Sequence, residues 1–143
     1  MKEFFLILFY SKVVLLTPAP VDVLGQMEIA PAEPLEAITR GANIQIDVSS
    51  YTGGLSLKNT GIVELRQAVR NKIPEGSVTA TLYSAQGHKI ELHDSGISLG
   101  PEDARLIFHA ASGVPTDVAS NRVVIASRVG LKGVKVFWQN YMH

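Results

Sequence analysis

Ser77-Val78-Thr79-Ala80-Thr81-Leu82-Tyr83, then Ala85-Gln86-Gly87, then Lys89-Ile90-Glu91-Leu92-His93 is the stretch that decides the fold class. Apolar and polar residues alternate on both sides of a short glycine-containing interruption. A period of two is the mark of a strand with one buried face, and a Gly turn between two such runs predicts a β-hairpin.

The same grammar extends in both directions. Asn43-Ile44-Gln45-Ile46-Asp47-Val48-Ser49 alternates without a break, putting Ile44, Ile46 and Val48 on one face of a half-buried strand. Tyr51-Thr52-Gly53-Gly54 turns the chain towards a short strand at Leu55-Ser56-Leu57. Downstream, Ile97-Ser98-Leu99, Arg105 to Ala110, Arg122 to Ser127 and Val134 to Tyr141 read as further strands, the last two joined by a loop containing Gly130 and Gly133. Seven or eight short strands with regularly spaced turns predict a mainly β domain. The expected architecture is an antiparallel two-sheet sandwich of immunoglobulin or fibronectin III type, with a small barrel as the alternative.

One segment breaks the pattern. Ile62, Leu65, Val69 and Ile73 lie on one helical stripe, with Glu64 near the start, Arg70 and Lys72 near the end and Pro74 as the stop. These signals favour a short helix over 62–72, which Thr60 could cap, while Val63, Leu65 and Val69, with Gln67 out of place, leave a strand as the alternative.

The amino terminus is different in kind. Phe4-Phe5-Leu6-Ile7-Leu8-Phe9-Tyr10 and Val13-Val14-Leu15-Leu16 flank Ser11-Lys12, and small residues and prolines follow. A basic start, an apolar run and a small-residue stretch predict a signal peptide or amino-terminal anchor over 1–25, with Ala19, Gly25 and Ala32 as candidate cleavage positions. Lys12 divides the apolar run, which leaves open an apolar strand or helix kept within the fold. Four of the seven prolines fall between residues 17 and 36. Residues 26–36 therefore read as a Pro-rich linker, and 37–143 as the β-sandwich domain.

Composition narrows the function classes. Thirteen Lys and Arg balance thirteen Asp and Glu, so no basic field exists to gather phosphates and nucleic acid is not an expected partner. There is no Cys, which removes thiol nucleophiles, disulfides and thiolate metal sites. No phosphate-binding loop, dinucleotide fingerprint, calcium loop or Gly-x-Ser-x-Gly elbow is present, so no cofactor and no catalytic residue is implied.

Two sets of residues remain as candidates. Phe137, Trp138 and Tyr141 place aromatic rings on the terminal strand, where alternation sends Phe137 and Trp138 to opposite faces. Trp138 inward and Phe137 outward is the expected assignment, and an outward ring would suit docking of a partner. His88, His93, Asp94 and His109 are the metal-type ligands, and they form a site only if the fold makes them converge.

The leading expectation is an exported, non-enzymatic module, periplasmic or secreted, that binds a protein or surface partner. An uncleaved amino terminus would make the first segment its membrane contact, and an edge strand could support a homodimer. The alternatives are a small periplasmic metal-binding or hydrolytic protein using the His/Asp set, and a structural spacer domain of an envelope assembly.

Overall fold

A computed structural model of the chain describes residues 11–36, 38, 41–52, 61–98, 102–110 and 119–141. In order, the elements are β1 (Ser11–Leu15), β2 (Val21–Ile29), β3 (Gly41–Val48), α1 (Ile62–Lys72), β4 (Val78–Ser84), β5 (Lys89–Glu91), β6 (His93–Ser98), β7 (Ala104–His109) and β8 (Ser120–Tyr141). Every strand pairing is antiparallel.

The hairpin forms as its alternation requires. Thr81, Leu82 and Tyr83 pair with Glu91, Ile90 and Lys89, while Gly87 at φ +86° supplies the backbone conformation that a side chain would resist. Ile44, Ile46 and Val48 are fully buried on β3, as their spacing predicts.

The opposite face of β3 is a departure, because Asn43 and Asp47 are buried as well. Asp47 is 0% exposed and receives two hydrogen bonds from Arg105, at 2.6 and 2.9 Å. A carboxylate leaves water at tolerable cost only when paired in this way. Lys135, its cross-strand neighbour on β8, is drawn instead to Glu102 at 2.6 Å.

The largest correction concerns the sheet. The two terminal strands expected over 122–127 and 134–141 are one strand, β8, 22 residues long. Its first part pairs with β4 and its last part with β3, so the segment expected as a loop is where β8 passes from one sheet region to the next. Gly133, at φ +62°, lies in this passage, and a Cβ there would collide with Ser49.

The run 89–98 makes a second passage. β5 pairs with β4, β6 pairs with β7, and between them the Leu92 N–H donates to the Ala80 carbonyl at 3.0 Å. These two passages curl the sheet into a nearly barrel-shaped body that is not clearly the two-layer sandwich expected. Alternation marks a buried face without saying whether that face belongs to a flat layer or a curved one.

The helix falls where its stripe predicts. Leu65, Val69 and Ile73 are buried, whereas Ile62 is exposed. Its N-cap is Gly61, without a side-chain cap; Thr60, the expected cap, lies outside the described residues, as does the expected strand at 55–57. Arg70 ties α1 to β6 through Asp94 at 2.9 Å.

Residues 11–36 span part of the segment expected as a signal or anchor and the whole of the linker expected over 26–36, and they carry two strands. β1 pairs with the last five residues of β8, and β2 with residues 123–134, so together they form an arm along the side of β8 opposite β3 and β4. Gln26 to Ile29 is the end of β2, and Leu35 makes an isolated bridge to Ser120. The prolines stand between the paired segments and not within them. Pro lacks the N–H a ladder needs, and an edge arm interrupted at prolines avoids that conflict.

Candidate functional site

The terminal strand carries the first candidate set. β8 alternates, so Trp138 points inward with Val136 and Val134, and Phe137 points to the outer face. Trp138 is 2% exposed and sits in one inward row with Val14, Ile44 and Phe108. Phe137 is half-buried, with the Arg105 guanidinium 5.6 Å from its ring centre. The backbone of Tyr141 pairs with Ser11 and Gly41, and its side chain lies outside the described residues.

Above Trp138 the structure leaves a cavity of about 570 Å³. Its walls are Val14, Leu15, Leu16 and Pro18 from the arm and Ala30 to Glu36 from the crossing between β2 and β3, with Trp138 and Asn140 beneath. The chain explains the space. After Ile29 the arm leaves β8, and Pro31 and Pro34 cannot donate to a ladder, so this crossing spans the gap without filling it. Leu35 fastens its far end, giving and receiving backbone bonds with Ser120 at 2.6 and 2.9 Å.

The near wall is fastened just as specifically. The Leu16 N–H donates to the Val136 carbonyl at 2.8 Å, and the Val136 N–H donates to Thr17 Oγ1 at 3.2 Å. Leu16 and Thr17 are both buried. The result is a mostly apolar recess at the mouth of the barrel, the usual setting for ligand and peptide recognition.

The chain matches no protein-family model and no curated protein sequence. Its chemistry is therefore read from the residues alone.

The four metal-type ligands do not form one site. His93 and His109 are direct cross-strand partners on β6 and β7, their ring centres 6.2 Å apart and their planes inclined at 52°. Asp94, next along β6, pairs opposite Phe108 and turns to the inner side, where it accepts from Arg70 and from the Gly96 N–H. His88 lies in the β4–β5 turn, where its backbone N–H donates to Ser84 Oγ at 2.9 Å. Among the described residues no group of three or more His, Cys, Asp or Glu is placed to hold a metal ion.

Ser49, Ser77, Ser95 and Ser127 donate to the main-chain carbonyls of Lys132, Pro74, Ile107 and Val129, which leaves none of the four aimed at a general base.

Two polar features were not foreseen. Gln45 Nε2 donates to Gln139 Oε1 at 2.7 Å and to Asn43 Oδ1 at 3.0 Å, and Asn43 Nδ2 donates to Gln139 at 3.3 Å, which lays an amide network across β3 and β8. Beside it, the hydrogen bonds that Arg105 donates to the Asp47 carboxylate hold its guanidinium above its ordinary pKa. The network lies on the outer face, away from the cavity, and fixes the register of the strands that carry Trp138. Single-residue alternation marked these positions as polar but could not show that their partners lie 94 and 58 residues away.

Proposed function

We propose that the protein is an exported, non-enzymatic module that binds a partner protein by receiving an apolar segment in the mouth cavity over Trp138. One observation carries the reading: a buried tryptophan forms the base of an open, mostly apolar recess whose two walls are each tied down by backbone hydrogen bonds. A pre-formed recess with an aromatic base loses little entropy on filling, and aromatic anchors carry much of the energy at protein interfaces. Export is supported by the apolar opening of the chain and the small residues after it.

The two parts of the proposal constrain each other. Cleavage after Ala19 would remove Val14, Leu15, Leu16 and Pro18 from the wall, so the recess described above belongs to a chain that retains them. Mass measurement of the protein recovered from each cell fraction decides the compartment and the first residue together. A full-length cytosolic chain would overturn the export proposal.

Trp138 is the sole tryptophan, so its emission reports the cavity directly. An apolar fluorescent probe that accepts energy from tryptophan should quench Trp138 on binding. Ala32→Phe, which adds a ring to the wall, should abolish that transfer while leaving the far-ultraviolet circular dichroism unchanged. Unaltered transfer in Ala32→Phe would sink the cavity as the binding site. A photo-reactive residue at position 32 then captures the natural partner in the fraction where the protein resides.

A further inference from the structure

We propose that His93 and His109 form a two-imidazole chelate for a late first-row divalent metal ion, with Cu2+ bound most tightly. The inference is independent of the cavity, since both histidines lie on the other side of the sheet from Trp138.

Register makes the pair. His93 and His109 face each other directly across β6 and β7, where Cβ atoms of antiparallel partners stand about 4.5–5.5 Å apart. Two imidazole nitrogens about 2.0 Å from one ion in adjacent positions of the tetragonal geometry that Cu2+ adopts place their ring centres roughly 4.5 Å apart. The observed 6.2 Å needs an approach of about 1.5–2 Å, which rotation of two exposed side chains about χ1 and χ2 supplies.

The surroundings suit a cation. Across the sheet the same row continues through Asn43 on β3 and Gln139 on β8, and it contains neither Lys nor Arg. Arg105, the nearest cation along β7, lies four residues from His109 and is committed to Asp47. Asp94 is turned away and held by Arg70, so the site offers two nitrogens and leaves the remaining positions to water. Imidazole donors without thiolates favour Cu2+ over Ni2+ and Zn2+ in the usual order of divalent stability.

The test uses the full chain titrated with Cu2+, followed by calorimetry and by electron paramagnetic resonance for nitrogen coupling. One ion per chain with two coupled nitrogens is expected. His93→Asn and His109→Asn should each weaken binding by about tenfold or more, while His88→Ala and His143→Ala leave it unchanged. Because the ion bridges β6 and β7, it should also raise the melting temperature of the parent protein and not that of His109→Asn. Binding that survives the double variant His93→Asn/His109→Asn, that is lost with His88 or His143, or that needs millimolar copper overturns the proposal.

Discussion

β3 and the β1–β2 arm lie along opposite sides of the same strand, β8, yet the two sides are built differently. β3 has neighbours on both edges, buries both faces, and holds its one carboxylate with a two-bonded arginine. The arm is paired on β8 alone among the described strands and presents Val13, Leu15 and Leu24 outward, Leu24 being 74% exposed. Pairing alone does not place a strand in the core: β3 supports the barrel-like body, while the arm supplies a wall of the cavity.

The sharpest way to break this contrast is on the β3 side. Arg105→Ala leaves the fully buried Asp47 carboxylate unpaired, and a loss of about 3–5 kcal/mol is expected from chemical denaturation. A loss under 1 kcal/mol would mean that water or Lys135 reaches Asp47, and that β3 is less enclosed than its burial indicates.

Removal of the arm's first strand should have a smaller effect with a distinct signature. A chain beginning at Pro20 loses β1 and the buried Leu16 side chain, whose burial contributes about 1.5–3 kcal/mol. It should remain folded, with Trp138 emission shifted to the red as its cover is removed. If it unfolds outright, the arm belongs to the supporting part of the barrel and the contrast fails.

Finer changes sharpen the boundary between the two sides. Thr17→Val removes the acceptor for the Val136 N–H and should cost about 1–3 kcal/mol, measured as a lowered denaturation midpoint, because that N–H then remains buried without a partner. Leu24→Ser, at an exposed arm position, should change stability by no more than about 0.5 kcal/mol.

The smallest expected effect is one of pH. Burial raises the Tyr51 pKa above its ordinary value of about 10. The fold therefore favours the neutral phenol: this stabilisation is complete below about pH 10 and disappears as pH rises through the folded value. Tyr51→Phe should flatten that alkaline decline in melting temperature, although it also removes the hydrogen bond from Tyr51 to the Gly130 carbonyl at every pH below it.

Much of the fold was legible because it follows from local periodicity. Ile44, Ile46 and Val48, the 78–91 hairpin, the Leu65–Val69–Ile73 stripe and the inward Trp138 are all consequences of a period of two or 3.6 meeting an apolar core. β2 was not legible: Val21, Val23, Met27 and Ile29 alternate, but Leu24, Gly25 and the flanking prolines masked the signal and the segment read as leader and linker. The unbroken length of β8 was not legible, because Gly130 and Gly133 read as a loop, whereas they lie within a paired strand, Gly133 at φ +62° where β8 passes from β4 to β3.

From the sequence came the mainly β character, the 78–91 hairpin, the apolar faces of β3 and of the 62–72 segment, and the absence of Cys. These depend on residue type and spacing within a few positions. Tertiary structure alone decided that the sheet curls towards a barrel, that Asp47 meets Arg105, that His93 meets His109 while Asp94 turns away, and that a cavity opens above Trp138. Each of these depends on cross-strand register between residues far apart in the chain, and a shift of one position in any pairing would carry the same side chains to the opposite face.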